Sequence, residues 1–275
     1  MDSEKQKNKR GFLKENKWLI MRRLSQVLIL LLFLIGPWFG VWIVKGSLAS
    51  SLTLDFLPLT DPFILLQSVF AGFITDGKAV MGAGIVLVFY AIVGGRVYCS
   101  WVCPVNIVTD AAHWLRHKLN ITGSVPLDKN IRFWVVVLSL MLAPITGMIV
   151  WELVNPVTML FRGLVFGLGF AWVFVVAVFL LDFAISQRAW CGKLCPVGAF
   201  YNLVGKVSLI KVNAFNRDDC DDCMDCYQVC PEPQILKPVL KGESKSTLIN
   251  DSACTNCGRC IDVCEPKVFK IGWRF

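Results

Sequence analysis

Histidine is scarce in this sequence, and so are charged side chains. Only His113 and His117 occur among 275 residues, four positions apart in one segment between apolar runs. A b-type haem in a membrane takes its axial histidines from inside the spanning helices, so haem is disfavoured as a cofactor. The pair fits better in an amphipathic helix at the membrane interface. Charged residues make up 17% of the chain and hydrophobic residues 55%, which is typical of a membrane protein.

The few charges are distributed unevenly. The chain has a net charge of +8, and residues 1–23 carry eight Lys or Arg against three acids, directly before an apolar run. Such a cluster is a membrane topology signal, so no nucleic-acid partner is expected. The apolar run that follows is too long for a cleaved signal peptide, and the sequence predicts a membrane anchor instead.

Apolar stretches that are long enough, or nearly so, to cross a bilayer as helices occupy residues 24–44, about 80–98, 131–151 and 164–184. Lys and Arg are frequent before the first stretch, between the second and third, and after the fourth. The positive-inside rule therefore predicts a multi-pass protein whose N-terminus, middle loop and C-terminal domain are cytoplasmic. Because that compartment keeps thiols reduced, the twelve cysteines are not expected to form a disulfide framework.

The apolar part contains an internal repeat. Segment 96–105 (RVYCSWVCPV) matches segment 188–197 (RAWCGKLCPV), and upstream an Asp-Pro at 61–62 matches an Asn-Pro at 155–156. Each half contains an even number of predicted crossings, so both halves run in the same direction. The repeat predicts a pseudo-twofold axis along the membrane normal, and the matching Arg and Pro positions argue against coincidence.

The C-terminal part carries the motif Cys-x2-Cys-x2-Cys-x3-Cys twice. Three thiolates from one tight loop can hold a [4Fe–4S] cluster, but the fourth cannot reach around from the same loop and comes from the other motif. Zinc sites usually present widely separated pairs of cysteines, so zinc is disfavoured. The sequence predicts two clusters with crossed ligation. Their ligands are Cys220, Cys223, Cys226 and Cys264 for the first cluster, and Cys254, Cys257, Cys260 and Cys230 for the second.

The other cysteines form two Cys-x3-Cys-Pro motifs, one in each half of the repeat: Cys99 with Cys103, and Cys191 with Cys195. On a helix, residues i and i+4 lie on one face, so each pair presents two thiols together. If the twofold axis is real, the pairs converge near the cytoplasmic face of the membrane. They then hold a metal or an additional cluster, or exchange electrons as dithiols. The alternative is a set of buried apolar cysteines.

These features predict an all-α membrane bundle with a C-terminal α+β domain. The bundle has four transmembrane helices in two parallel repeats, plus short Pro-initiated helices, and the tail is a bacterial-type 2[4Fe–4S] ferredoxin domain. The predicted boundaries are 1–23 for a basic cytoplasmic segment, 24–212 for the membrane domain and 213–275 for the ferredoxin-type domain.

The whole chain resembles the NapH-type proteins, the membrane quinol dehydrogenase component of the periplasmic nitrate reductase system. The Cys motifs are shared with a wider group that includes NosR-type regulators and CcoG-type proteins. The resemblance to the NapH type in particular lies in the runs GPWFGVW at 36–42 and LTDP at 59–62. The residues that carry it lie at 22–24, 36–42, 59–62, 99–104, 191–196 and 226–233.

The resemblance implies a bacterial inner-membrane electron-transfer subunit and not a stand-alone enzyme. Electrons would leave the quinol pool and reach a periplasmic NapG-type iron–sulfur protein, and then the nitrate reductase subunits. All twelve cysteines carry over, but no quinone-binding or catalytic residue follows from any motif. The similarity to NosR and CcoG leaves redox regulation or metal-centre assembly as the alternative.

Overall fold

The computed structural model describes residues 15–121, 123–125, 127–167, 169–242 and 246–274. Residues 1–14 of the predicted basic segment therefore lie outside the described ranges. The described chain is mostly helical. Its helices are α1 (Lys17–Phe39), α2 (Pro62–Phe70), α3 (Gly77–Val93), α4 (Val105–Lys118), α5 (Ile131–Thr146), α6 (Val150–Val154), α7 (Pro156–Phe166), α8 (Gly169–Leu180), α9 (Pro196–Val204), α10 (Asp225–Val229), α11 (Lys237–Leu240) and α12 (Arg259–Val263).

Strands and tighter or wider helical turns complete the fold. The strands are β1 (Val44–Gly46), β2 (Ser50–Thr53), β3 (Leu57–Thr60), β4 (Ile210–Ala214) and β5 (Phe269–Trp273). Turns of π-helix occur at Tyr98–Val102, Leu181–Ile185 and Trp190–Leu194. Turns of 3-10 helix occur at Gly205–Val207, Arg217–Asp219 and Pro233–Ile235.

Each predicted span coincides with an apolar helix. Within the described ranges, α1 is the one helix that is both long and apolar enough to cross a membrane. It begins at Lys17 and not at residue 24, and it ends before Gly40, whose left-handed backbone (φ 75°) terminates the helix. The helices α3, α5 and Gly169–Ile185 are apolar but have 10–17 residues, which is shorter than the roughly 20 residues that a perpendicular span needs.

The expectation of an all-α bundle is wrong between α1 and α2, where β1, β2 and β3 form an antiparallel sheet in that order. The β2–β3 turn places Leu54 and Asp55 in the left-handed region, as tight hairpin turns require. Strand β3 then runs against α3 at Gly82, where an added Cβ would come within 2.9 Å of the Pro58 carbonyl oxygen. The sheet therefore packs directly on α3.

The repeat is visible in the local structure of both halves. The short helices α2 and α7 each begin at a proline, and Asp61 and Asn155 cap them by accepting hydrogen bonds from Phe63 N (2.8 Å) and Val157 N (3.1 Å). Each Cys-x3-Cys segment is a π-helical turn and not the predicted α-helix. Each turn ends at its second cysteine with nearly the same backbone, φ −65° and ψ 116° or 115°.

The C-terminal part is the predicted α+β unit. Strand β4 pairs antiparallel with β5, and α10 packs against α12. The buried core combines aliphatic side chains with cysteines of both motifs, which ties the two motifs into one unit. Its fully buried members include Val212, Ala214, Leu236, Ile249, Val268 and Phe269.

Candidate metal centres

The eight cysteines of the C-terminal motifs line two cavities. One, here the distal cavity, is lined by Cys220, Cys223, Cys226 and Cys264. The other, the proximal cavity, is lined by Cys230, Cys254, Cys257 and Cys260. Each cavity therefore contains the three closely spaced cysteines of one motif and the last cysteine of the other. This grouping is the one that crossed ligation requires.

The backbone of both motifs suits an anionic cluster. The residues on either side of the second cysteine are left-handed: Asp222 (φ 55°) and Met224 (φ 64°) in the first motif, Asn256 (φ 46°) and Gly258 (φ 72°) in the second. Backbone that alternates in this way turns successive N–H groups into a concave anion-binding nest, as in many iron–sulfur sites. The residues present therefore fit a [4Fe–4S] cluster in each cavity.

The cysteines of the Cys-x3-Cys-Pro motifs meet in a third cavity, here the bundle cavity. Its empty volume is about 580 Å³, and Cys99, Cys103, Cys191 and Cys195 all line it. These thiols range from buried to half-buried. Within the described ranges, no three His, Cys, Asp or Glu side chains lie close enough to form a site for a single metal ion.

Helix N-termini converge on the bundle cavity. The first residues of α4, α7 and α9 line it, as does Asp61, the cap of α2. The Cys195 Sγ accepts a hydrogen bond from Gly198 N (3.5 Å) at the start of α9. Because the N-terminal end of a helix dipole is positive, this arrangement favours negative charge among the thiols, as a thiolate-ligated cluster would bring.

Arg96 connects the bundle cavity to the proximal cavity. Arg96 is buried, and its guanidinium donates hydrogen bonds of 2.9 Å to Glu232 Oε1, the Ala253 carbonyl and the Cys191 carbonyl. Ala253 directly precedes Cys254, and Glu232 follows Cys230 by two positions. One buried guanidinium thus touches both cysteine sets.

Glu232 is the counter-charge of Arg96. Burial disfavours the charged carboxylate, but Arg96 and, more weakly, Arg132 outweigh burial and hold the pKa of Glu232 below its usual value. Arg132 lies 3.7 Å from Glu232 Oε1 and donates to the Gly192 carbonyl (3.1 Å). The second Cys-x3-Cys motif is therefore attached to the same buried ion pair.

Direct hydrogen bonds also join the loop between Cys254 and Cys257 to the first Cys-x3-Cys turn. Ser100 Oγ donates to the Thr255 carbonyl (2.7 Å), and Trp101 Nε1 donates to the Asn256 carbonyl (3.2 Å). Arg188, the counterpart of Arg96 in the repeat, donates to the Val229 carbonyl (3.3 Å), next to Cys230. The ferredoxin-type unit is thus seated on both Cys-x3-Cys turns.

A second buried charge cluster holds the start of α1. Asp110 pairs with Arg22 (2.5 Å), Arg23 and Arg188 (3.5 Å). Burial opposes the charged form of Asp110, yet the three arginines lower the pKa of this carboxyl below its usual value. All three arginines, which the positive-inside rule counts as loop charges, are therefore also ion-pair partners inside the fold.

The sequence indicates all twelve cysteines as site residues, but it does not indicate the polar residues that join the cysteine sets to one another. Arg96 and Arg188 were noticed only as matching positions of the repeat. The sequence marks Asp61 only through the Asp-Pro of the repeat, but the structure buries it at the bundle cavity, where its side chain accepts a hydrogen bond from Phe63 N. The available signal was the duplicated Arg beside each motif.

Comparison with known families covers both parts of the chain. A model described as "4Fe-4S binding domain" matches residues 76–122 and 168–214, and one described as "4Fe-4S dicluster domain" matches residues 204–268. The first two matches begin 92 residues apart (168 − 76), and each contains one Cys-x3-Cys-Pro motif. The family models thus indicate iron–sulfur clusters, and the double match of the first model agrees with the internal repeat.

Curated relatives align over nearly the whole chain. The methylamine utilization ferredoxin-type protein MauN of Paracoccus denitrificans is 53% identical over 97% of this chain and 94% of its own. MauN of Methylorubrum extorquens is 51% identical over 96% and 92%. The ferredoxin-type protein NapH of Haemophilus influenzae is 46% identical over 98% and 94%. No solved structure matches significantly.

Proposed function

Since the chain belongs to the family of ferredoxin-type NapH and MauN proteins, we propose that it oxidises quinol at the membrane and passes the electrons through iron–sulfur clusters. The observation that carries this proposal is the contact of Arg96 with both the bundle cavity and the proximal cavity. An electron relay needs its cofactor sites held close together, and Arg96 holds the loop of the proximal cavity against the cysteines of the bundle.

In this proposal the distal and proximal cavities each hold one [4Fe–4S] cluster, with Cys220, Cys223, Cys226 and Cys264 as one ligand set and Cys230, Cys254, Cys257 and Cys260 as the other. The clusters supply reversible one-electron chemistry. The chain's own residues set the order of the sites. Cys223 is exposed in the distal cavity, so electrons leave there, and the proximal cavity receives them from the bundle.

The bundle cavity is proposed to hold a third cluster on Cys99, Cys103, Cys191 and Cys195. The double match of the 4Fe–4S binding model to the two Cys-x3-Cys-Pro segments supports this assignment. The converging helix N-termini and the Arg96 guanidinium, which contacts the Cys191 carbonyl, support it electrostatically, because a cluster on four thiolates is anionic.

We assign 24–212 to a membrane domain that spans the bilayer with α1, α3, α5 and α8, and 213–275 to the ferredoxin-type domain. Support comes from apolar side chains that α3, α5 and α8 leave exposed, including Val88, Leu138, Met141, Val173 and Val176. The start of α1 contacts the ferredoxin-type domain, where Trp18 N and Leu19 N donate to Asp262. The basic segment and this domain are therefore proposed to share the cytoplasmic side.

The identity of the acceptor has two candidates. The resemblance to NapH favours a NapG-type iron–sulfur protein and the periplasmic nitrate reductase, to which the electrons would have to cross the bilayer. The higher identity to two MauN proteins, 51–53% against 46% for NapH of Haemophilus influenzae, favours an electron-transfer role in methylamine utilization, although a third MauN protein is 44% identical. Both candidates share the same electron path inside this chain, from quinol through its clusters.

The proposed function is tested by adding a short-chain quinol to the anaerobically purified, oxidised protein and recording EPR spectra. We expect signals of reduced [4Fe–4S] clusters within the turnover time of a quinol-linked chain. Dithionite serves as the control that the clusters are present and reducible. Clusters that dithionite reduces but excess quinol leaves oxidised would argue for redox regulation or metal-centre assembly instead.

A further inference from the structure

Besides the four cysteines, the bundle cavity is lined by a second group of residues, here called its second end. It is formed by the starts of α2 and α7, by Trp151 of α6 and by apolar side chains including Leu48 and Ile64. We propose that this end binds the quinol headgroup, with one quinol hydroxyl donating to Asp61 and the ring against Trp151 and Trp190. This inference rests on the proposed quinol-oxidising function and names the site where that substrate binds.

Asp61 is the acceptor that a quinol hydroxyl requires. Its side chain is 7% exposed, and among the ion pairs of the described residues none includes it. Its carboxylate accepts a hydrogen bond from Phe63 N (2.8 Å), which orients it at the start of α2. A carboxylate has about four lone-pair sites, so acceptor sites remain for a ligand that approaches through the cavity.

Trp151 supplies an unused donor at the same end. It is 4% exposed and lines the cavity, and its indole N–H has no hydrogen-bond partner. The backbone N–H of Trp151 donates to the buried Gln67 side chain (3.3 Å), which holds this residue in place. Buried donors are nearly always satisfied, so the free indole N–H of this cavity-lining side chain points to a ligand with an oxygen acceptor, such as the second oxygen of a quinol.

The shape and lining of this end suit a flat aromatic ring. The Trp151 and Trp190 rings are nearly parallel, with centroids 6.2 Å apart and planes inclined by 20°, and both line the cavity. The cavity is lined mostly by apolar side chains with a few placed polar groups, as ordinary small-molecule sites are. Quinol bound there shares one cavity with the four cysteines.

The internal repeat makes the site asymmetric. Asp61 caps α2, whereas the equivalent cap of α7 is Asn155, which carries no charge. The two halves therefore present one carboxylate to the cavity, and one headgroup orientation is preferred. The same comparison suggests a conservative substitution. Asp61→Asn removes the charge but keeps a side chain that can cap the helix, since Asn155 caps α7 in the other half.

The test uses the full-length protein with its clusters and compares wild type with Asp61→Asn, Trp151→Phe and the control Asp55→Asn. Asp55 is exposed and pairs with Lys45 (2.6 Å) on the β1–β3 sheet, outside the cavity. An azido-substituted short-chain quinone is photolysed on each protein, the labelled peptides are mapped by mass spectrometry, and unlabelled quinol is titrated as competitor. Iron content and dithionite-reduced EPR spectra report whether each variant is folded and loaded.

We expect the label on peptides that line the bundle cavity and competition by quinol. Asp61→Asn should weaken quinol binding on the order of 10- to 100-fold, because a hydrogen bond to a charged acceptor is lost. Trp151→Phe should weaken it roughly 3- to 10-fold, the size of one neutral hydrogen bond. Asp55→Asn should bind like wild type.

The outcomes separate the two proposals. If wild type is reduced by quinol but Asp61→Asn and Trp151→Phe bind it like Asp55→Asn, the headgroup lies elsewhere, and the inference fails while the proposed function stands. If wild type neither takes up the label nor is reduced by quinol, both fail. Label in the cavity with selective loss in the two variants supports both.

Discussion

Replacing Cys99, Cys103, Cys191 and Cys195 together by serine should abolish reduction of the C-terminal clusters by quinol. All four thiols line the bundle cavity, and a serine hydroxyl cannot replace a thiolate as a soft ligand for iron. The variant should also lose about a third of its iron, since one of three four-iron sites disappears. Dithionite should still reduce the remaining clusters, because their ligands lie in the ferredoxin-type unit.

The matched control is Cys223→Ser, which removes a ligand of the distal cavity only. Cys223 is exposed, so this change disturbs packing little. Quinol should still reduce the proximal cluster in that protein, as EPR would record. Unchanged iron content and unchanged quinol reduction in the four-serine variant would show that these cysteines are only buried apolar side chains.

Replacing Arg96 by methionine should produce the largest loss of stability from a single change at the domain contact. The Arg96 and Glu232 side chains are 2% and 6% exposed, and removing the cation leaves a buried carboxylate. Breaking such a pair from one side costs about 3 kcal/mol, here toward the low end because Arg132 and Lys129 remain within 4.0 Å of Glu232. Urea unfolding in detergent measures the change.

Two further variants assign that loss to the ion pair. Adding Glu232→Gln to Arg96→Met should recover part of the stability, because the unpaired charge is then gone. Lys45→Met breaks the exposed Lys45–Asp55 pair, whose side chains are 48% and 62% exposed, and exposed pairs contribute at most about 1 kcal/mol. Equal losses for Arg96→Met and Lys45→Met would contradict the proposed role of Arg96.

Much of the site was predictable because cysteine spacing constrains geometry directly. Three cysteines at i, i+3 and i+6 can surround one cavity only with help from the other motif, and the two C-terminal cavities have that grouping. The duplicated Arg-x2-Cys-x3-Cys-Pro segment likewise implied two equivalent turns, which the structure contains. Apolar length located helices near all four predicted spans.

The features of the site and fold that the sequence did not predict depend on contacts between distant parts of the chain. Arg96 meets Glu232 across 136 positions, and no local pattern encodes that pairing. The β1–β3 sheet lies between two apolar runs, where short strands of mixed residues carry no clear period of two. Asp61 reads as an ordinary helix cap beside a proline, and only tertiary packing places it at the bundle cavity.

In the proposed function, one chain carries three cluster sites in a row, in the bundle cavity, the proximal cavity and the distal cavity. The most direct test is the iron and acid-labile sulfide content of the anaerobically purified protein, counted per chain. Since each [4Fe–4S] site holds four irons on four cysteines, twelve cysteines predict about twelve irons per chain. A fully loaded protein with about eight irons would contradict a cluster in the bundle cavity.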